Sequence, residues 1–452
     1  MSRKYQRIVA SLRKPVPPPL APPDTYGPDE VADMLAEIGI ALIAVSEPVQ
    51  LVEQRIREIA ARYTSEPVRT AVLPTMLFVQ IGSRSHQMEG SAEYARGLDM
   101  AGRVDEIAGL AAAGAIAPRD AIAAIRAARA QPPRFGAIAT TLGYAVTSVG
   151  FGMVIQPSWQ ALLAHLFLGL VVGLVVQSAR MLPTLTPILP TLSALVVTLL
   201  ATWFVADVAH DGLLRIISPA LIATLPGMAL VIGAIELAGG RIVSGSSRLT
   251  YGLAQLGLLV YGVVVGVMIA GQVAPQSPSA VMGPWSGYAA IVVIAVGLYF
   301  YLSAPRGSLI WMMLTIAVAL GMQHLAGLVV NSAHSGFVAA VVAIPFAMLA
   351  ARLRTAPPAA VLALAAFWSL VPGQLTFMSV SRGVSGDYAD IATLGVAAGA
   401  IASIALGTLV GWSLVRTLAS RAERGRPAGG TGATVPSTPS SSAERTPPPT
   451  AR

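Results

Sequence analysis

The sequence contains no cysteine, and its long middle section contains no lysine. Without cysteine the chain has neither a disulfide framework nor a thiolate metal site. Charged residues make up only 12% of the 452 residues, which is about half of their share in a soluble globular protein. Hydrophobic residues make up 54%, and the mean hydropathy is +0.68.

The few charges are unevenly distributed along the chain. Between Gly136 and Ala422, 287 residues carry ten arginines and five carboxylates, and the other 37 of the 52 charges lie in the two ends. So few charges cannot cover the surface of a soluble domain, and we expect this region to lie in lipid. This pattern excludes a cytosolic enzyme, a secreted domain and a DNA-binding protein. The net charge of +8 then belongs to loops and tails, not to a nucleic-acid groove.

A small folded unit precedes the apolar region. Val49, Val52, Ile56 and Ile59 repeat at the spacing of one helix face. The segment 68–81 is rich in β-branched and aromatic residues but is interrupted by Pro74, which predicts two short strands or one broken strand. The segment 103–130 predicts helix, restarted at Pro118. No apolar run here is long enough to span a bilayer.

From Gly136 onward the apolar stretches fit about ten helices of roughly 20 residues, the length that a bilayer requires. They lie near 136–156, 159–179, 187–206, 214–238, 250–272, 286–304, 308–330, 334–351, 359–381 and 391–415. With the N-terminal unit in the cytoplasm, six arginines fall in cytoplasmic turns and only Arg215 and Arg382 fall outside. This satisfies the positive-inside rule and places both termini in the cytoplasm.

Two predicted spans carry the same helix-breaking pair. Pro226-Gly227 lies within the fourth span and Pro372-Gly373 within the ninth, and the fifth and tenth spans share a glycine pair, Gly262/Gly266 and Gly407/Gly411. Matching positions in two halves indicate an internal repeat of five helices. Because five is odd, the second copy must enter the membrane from the other side, as in inverted-repeat transporters.

The broken helices indicate where a substrate binds. Unwound backbone is tolerated at membrane depth only where it lines a cavity or is buried in protein, and a half-helix N-terminus suits a carboxylate. We therefore expect the substrate between the two breaks, near Thr224, Pro226, Gly227, Pro372, Gly373 and Gln374. The alternative is that each Pro-Gly pair only kinks a packed helix.

Glu236 is the one carboxylate well inside an apolar span, which makes it a candidate for coupling transport to protons. The alternative is a carboxylate near the interface that pairs with Arg241 or Arg248. His165, His324 and His334 have no ligand spacing, so neither a metal nor another cofactor is expected. No catalytic constellation is found, and a hydrolase in the N-terminal unit is disfavoured because no nucleophile-elbow motif occurs.

The fold class is therefore an all-α polytopic membrane protein, with about ten transmembrane helices as a five-plus-five inverted repeat, preceded by a small α+β domain. The predicted division is a disordered basic Pro-rich leader (1–27), a cytosolic α+β domain (28–135), a first five-helix repeat (136–276), a second five-helix repeat (282–421) and a disordered cytoplasmic tail (422–452). The basic N-terminus is not followed by an apolar segment, so we expect no cleaved signal peptide.

The sequence resembles the threonine/serine exporter family of bacterial membrane proteins over about residues 35 to 415. The residues that carry the resemblance are Val52-Glu53, Val72-Leu73-Pro74-Thr75, Arg103-Val104-Asp105, Pro132-Pro133-Arg134-Phe135, Leu225-Pro226-Gly227, Ile235-Glu236-Leu237 and Ser244-Gly245-Ser246-Ser247-Arg248-Leu249. The resemblance implies a ten-helix secondary exporter of threonine and serine in the bacterial cytoplasmic membrane, driven by the proton motive force, with a cytosolic N-terminal part.

Three function classes follow from these observations. The first is a secondary transporter that exports small hydroxy amino acids by antiport with protons; its partners are the amino acid and the bilayer, with a homo-oligomer possible. The second is a channel-like or non-transporting scaffold whose cytosolic domain binds or processes a partner. The third, an intramembrane enzyme, has little support. The paired helix breaks favour the transporter.

The topology can be tested with single cysteines, because the chain contains none. We expect Ser277→Cys to react with an impermeant thiol reagent on intact cells and Ser441→Cys to react only after permeabilisation. Labelling of position 441 from outside would overturn the ten-span arrangement.

Overall fold

The structure is a computed structural model that describes residues 14–15, 17–89, 97–155, 157–205, 212–271, 280–330, 332–370 and 391–424. The N-terminal unit, residues 28–130, combines four helices with one small sheet. Its elements are α1 (Pro28–Ala44), α2 (Val49–Tyr63), β1 (Val68–Leu73), β2 (Met76–Ile81), β3 (Arg84–Glu89), α3 (Leu98–Ala113) and α4 (Pro118–Ala130).

The sheet is an antiparallel meander in the order β1-β2-β3. Leu73 pairs with Met76, so the first hairpin turns at Pro74-Thr75, as the interruption of the apolar pattern predicted. The third strand was not predicted, because its residues are mostly polar on both faces. Its register against β2, from Met76↔Glu89 to Ile81↔Arg84, continues the sheet nonetheless.

The core of the unit lies between α1, α2 and the sheet. Val49, Val52, Ile56 and Ile59 of α2 are all fully buried, which confirms the predicted helix face. They share one continuous apolar cluster with α1 and the strands. The helical prediction for 103–130 is also confirmed, with Pro118 in the first turn of α4.

The described end of the predicted leader is ordered against this unit. Leu20 N–H donates to the Gly114 carbonyl at 2.8 Å, and Asp24 N–H donates to the Tyr63 carbonyl at 2.8 Å. Asp24 also accepts the N–H and the hydroxyl of Ser65. Residues 17–27 are therefore part of the folded surface, although their proline content suggested a disordered segment.

The remaining helices are apolar. They are α5 (Ala137–Ile155), α6 (Trp159–Met181), α7 (Leu189–Leu200), α8 (Leu213–Ala220), α9 (Gly227–Ala238), α10 (Ile242–Ala270), α11 (Trp285–Tyr301), α12 (Leu309–Gly327), α13 (Ser332–Ala350), α14 (Ala359–Leu370) and α15 (Ile391–Arg424). A 3₁₀ segment, Pro183–Ile188, precedes α7, and a π-helical turn, Ala201–Val205, follows it.

Six stretches are long and apolar enough to cross a membrane, judged on the described residues by length and composition alone. They are Ala137–Ile155, Trp159–Ala179, Thr184–Val205, Ile242–Ala270, Leu309–Gly327 and Ala398–Leu418. Four shorter apolar helices, Gly227–Ala238, Trp285–Tyr301, His334–Ala350 and Ala359–Leu370, lie at the remaining predicted spans. The count of ten crossings stays a prediction.

Large apolar side chains on these helices point outward. Leu163, Met268, Tyr288 and Ile310 are each more than half exposed. An exposed apolar surface of this extent is unfavourable in water but is what a lipid-facing surface requires.

Glycine allows the first and sixth predicted spans to pack with their backbones in contact. A Cβ at Gly150 of α5 would lie 2.8 Å from the Ile294 N, and one at Gly297 of α11 would lie 2.8 Å from the Thr147 Cα. The two contacts correspond to each other across the repeat. Gly150 corresponds to Gly297 and Thr147 corresponds to Ile294, each at a separation of 147 residues. Reciprocal contacts of this kind are characteristic of a two-fold arrangement.

A second pair of glycines packs in equivalent ways in the two halves. A Cβ at Gly262 of α10 would meet the Thr191 carbonyl and lie 3.0 Å from the Ala194 Cβ. One at Gly407 of α15 would meet the Phe337 carbonyl and lie 3.0 Å from the Ala340 Cβ. The partners are 146 residues apart in both cases, which supports the repeat predicted from the breaks.

We expect Gly262→Ala and Gly407→Ala to lower the melting temperature in detergent, because each added methyl group meets a backbone carbonyl. Overpacking of this kind costs about 1–3 kcal/mol. Gly257→Ala on α10 and Gly395→Ala on α15 are matched controls, since a Cβ there meets nothing within 4 Å. The controls should keep or slightly raise the melting temperature, as alanine favours helix. A loss at only one of the two test positions would contradict equivalent packing.

Candidate functional site

The first predicted break is present in the structure. Helix α8 ends at Ala220, and α9 begins only at Gly227, with Pro226 immediately before it. The first hydrogen bond within α9 runs from the Leu230 N–H to the Pro226 carbonyl, at 3.1 Å. The N–H groups before Leu230 therefore have no partner within the helix, as at every helix start. Residues 223–228 are partly exposed, so the break opens onto a cavity or a surface.

Thr224 lies in the turn between the two half-helices. Its hydroxyl donates to the Leu221 carbonyl at 2.7 Å, and its N–H donates to the same carbonyl at 2.9 Å. Thr224 thus shapes the unwound turn, and its hydroxyl is already engaged.

A tyrosine from the first span satisfies backbone groups that the break leaves free. The hydroxyl of Tyr144, on α5, donates to the Ala220 carbonyl at 2.5 Å and accepts the Ala223 N–H at 3.3 Å. Tyr144 is fully buried. Buried backbone groups need partners, and here one side chain serves both ends of the turn.

The second predicted break lies outside the described residues. This applies to Pro372, Gly373 and Gln374. Their proposed proximity to the first break stays a prediction.

Glu236 lies in the last turn of α9 and is fully buried. Its Oε1 accepts the backbone N–H of Val49 at 3.1 Å. Its Oε2 accepts the Ser244 hydroxyl at 2.5 Å and lies 3.2 Å from the Nε of Arg248, which is also buried. The carboxylate therefore pairs with Arg248 and does not reach solvent.

The contact with Val49 joins two parts of the chain. Val49 is the first residue of α2 in the N-terminal unit, whereas Glu236 ends a membrane helix. A helix N-terminus carries partial positive charge and free N–H groups, so it is a favourable partner for a carboxylate. An ion pair between Arg241 and the nearly buried Glu53 of α2 lies beside it.

A cavity of about 360 Å³ lies where the N-terminal unit meets the membrane helices. We call it the boundary cavity. One wall is formed by residues 45–58 together with Asp105. The other is formed by α9, α14, the C-terminal part of α15 and the end of α13. Met228, in the first turn of α9, lines it, so the cavity extends to the start of the half-helix.

The wall from the N-terminal unit holds a cluster of charges. Arg55 lies between two carboxylates: its Nη1 is 3.2 Å from the Glu47 Oε2, and its Nη2 bonds the Asp105 Oδ1. Burial raises the pKa of the Glu47 carboxyl, and the neighbouring Arg55 guanidinium offsets only part of that rise. Burial thus disfavours the charged form of Glu47.

Comparison with known proteins identifies a family. A family model described as "Putative threonine/serine exporter" matches residues 33–270. The chain belongs to the threonine/serine exporter family. No curated protein and no solved structure matches it. Together with the apolar helices, this membership indicates a multi-pass membrane protein.

The matched region contains the N-terminal unit, the first break and the Glu236 cluster. It therefore spans both sides of the contact between Val49 and Glu236, as well as Tyr144. Tyr144 and Val49 were missed by sequence reasoning, because a lone tyrosine in an apolar span and a backbone N–H leave no pattern.

His165, His324 and His334 lie on three different helices, α6, α12 and α13. His334 Nδ1 lies 3.0 Å from the Ser403 hydroxyl, and His165 is buried within its span. Within the described part of the chain, no group of three or more possible ligands is close enough to hold a metal ion.

Proposed function

We propose that this exporter carries threonine and serine out of the bacterial cell, across the cytoplasmic membrane, in exchange for protons. The observation that carries the proposal is a helix broken at Pro226-Gly227 whose first turn reaches the boundary cavity. A half-helix start offers N–H groups to a substrate carboxylate at a depth where side-chain charges are scarce. Membership of the exporter family supports the substrate class.

The proposed architecture is an inverted repeat of five helices, with both termini in the cytoplasm. The reciprocal glycine contacts of α5 with α11 support it, as do the equivalent contacts of Gly262 and Gly407. An inverted repeat provides two similar halves that can alternate in opening to each side.

The proposed substrate site comprises Thr224, Pro226 and Gly227 from the first break and Pro372, Gly373 and Gln374 from the second. The first break supplies N–H donors for the carboxylate. An unwound turn also supplies carbonyl acceptors for the ammonium group. The side-chain amide of Gln374, beside the second break, would form a hydrogen bond with the hydroxyl of threonine or serine.

Glu236 is the proposed proton-coupling residue. Protonation would remove its charge, and with it the attraction to Arg248 and to the N-terminus of α2. Because α2 forms one wall of the boundary cavity, proton uptake at Glu236 would loosen that wall. A group that binds a proton and holds a gate in this way couples the two events.

The substrate assignment can be tested by ligand-dependent thermal stability in detergent. A ligand at about 100 times its Kd stabilises a protein by roughly 2.7 kcal/mol. We expect threonine to raise the melting temperature of the wild type more than valine, which has the same shape without the hydroxyl. Pro226→Ala closes the break, and Gly227→Val fills it, so both should lose most of this rise.

Gly257→Val is the matched control, because position 257 is exposed and a Cβ there meets nothing. Efflux of labelled threonine from proteoliposomes should fall with the same two variants. If threonine stabilises Pro226→Ala and Gly227→Val as much as the wild type, the site lies elsewhere. If the wild type neither binds nor exports threonine, the chain acts as a scaffold or carries another substrate.

Proton coupling can be tested with Glu236→Gln. We expect efflux to lose its dependence on a pH gradient while threonine affinity stays within about twofold, since the substitution removes a titratable group and keeps its shape. The single change also leaves Arg248 buried without its counter-charge, which costs roughly 3–5 kcal/mol.

The double variant Glu236→Gln/Arg248→Met removes both charges and keeps the test valid if the single variant is unstable. Glu53→Gln is the control, because Glu53 lies in the same contact region but outside the span. Its efflux should keep the pH dependence. A double variant that folds and still responds to the pH gradient would exclude Glu236 as the coupling group.

A further inference from the structure

The boundary cavity has opposite charge on its two walls. The wall from the N-terminal unit carries three carboxylates, Glu47, Glu58 and Asp105, against the single cation Arg55. The wall from the membrane helices carries two arginines, Arg352 and Arg416, and no carboxylate. Among the described residues, neither of these two arginines forms an ion pair.

Contacts within the wall from the N-terminal unit keep its carboxylates in place. Arg55 is held by Glu47 and Asp105, which leaves an excess of negative charge on that side. Glu58 accepts a hydrogen bond from the Gln54 amide at 2.6 Å and stays exposed to the cavity mouth. A small molecule with an ammonium group at one end and a carboxylate at the other matches both walls.

The space between the charged groups is apolar and small. Met228, Phe367 and Trp412 lie in the lining, and the volume of about 360 Å³ is near the lower end for small-molecule sites. This favours a single free amino acid over a peptide. A molecule with a net charge would be attracted by one wall and repelled by the other.

The backbone at the negative wall is strained. Ser46 has a φ of 66°, a left-handed conformation that is uncommon outside glycine. It directly precedes Glu47, and strain of this kind persists where the surrounding structure imposes it, often at ligand sites. The raised pKa of Glu47 agrees, because a ligand ammonium would compensate the buried charge.

We infer that the boundary cavity is a loading site, which binds a free zwitterionic amino acid between the N-terminal unit and the membrane helices before it reaches the broken helix. The inference rests on the proposed function, but it assigns a second site with residues of its own. The ammonium group would face Glu47 and Glu58, and the carboxylate would face Arg352 and Arg416.

The test uses the full chain in detergent and the fluorescence of Trp412, which lines the cavity. The signal is the difference between the wild type and Trp412→Phe, since the chain has six tryptophans. We expect L-threonine to change this signal. Threonine amide, which lacks the negative charge, and N-acetylthreonine, which lacks the positive charge, should bind about tenfold more weakly or worse.

Charge variants separate the two walls. Arg352→Gln, Arg416→Gln, Glu47→Gln and Glu58→Gln should each weaken threonine binding about tenfold at this site. Glu58 is exposed, so its variant is informative even if Glu47→Gln is unstable. Arg354→Gln and Glu106→Gln, which change exposed neighbours outside the lining, should bind threonine like the wild type.

The outcomes distinguish this inference from the proposed function. Normal threonine export without any Trp412 signal, or with wild-type binding in all four variants, would overturn the loading site and leave the exporter intact. A zwitterion-selective signal without export would support the loading site and contradict the proposed function. Preferential binding of glycerophosphoethanolamine, the zwitterionic headgroup of a lipid, would overturn it in favour of a lipid site.

Discussion

A buried carboxylate needs partners, and the partners of Glu236 come from two parts of the protein. Arg248 and Ser244 belong to the next membrane helix, whereas the N–H of Val49 belongs to the N-terminal unit. The desolvation cost of this charge is offset only while all of them stay in place. The position of α2, and therefore one wall of the boundary cavity, depends on this cluster.

The broken helix poses the same problem for backbone groups. Interrupting a helix in an apolar region leaves carbonyl and N–H groups without partners, each at a cost of several kcal/mol in lipid. The hydroxyl of Tyr144 binds one group of each kind at the turn, and the N–H groups at the start of α9 remain for a ligand. Free N–H groups at the start of α9 are what the proposed binding of a substrate carboxylate at this break requires.

Periodicity and composition predicted much of this structure. The apolar face of α2, the turn at Pro74, the break at Pro226 and the apolar helices all follow from local patterns. Strand β3 did not, because its polar residues are held by pairing with β2. Nor could the boundary cavity be predicted, since its walls combine segments near residues 46, 230, 360 and 415 that only tertiary packing brings together. Single contacts such as Tyr144 with Ala223 leave no periodic signal at all.

The glycine contacts have a consequence for movement. Within each half, α10 lies against α7 and α15 lies against α13 so closely that not even a methyl group fits between them. Such pairs cannot slide without a clash, so each behaves as one rigid body. The second half of the fourth span, α9, is fixed to α10 in the same way, because a Cβ at Gly245 would lie 2.8 Å from the Gly233 carbonyl. Any opening of a path through the protein must therefore come from elements without such contacts, such as α8, the half of the fourth span before the break, and the wall held by Glu236. The glycines thus set the division between the parts that stay fixed and the parts that move.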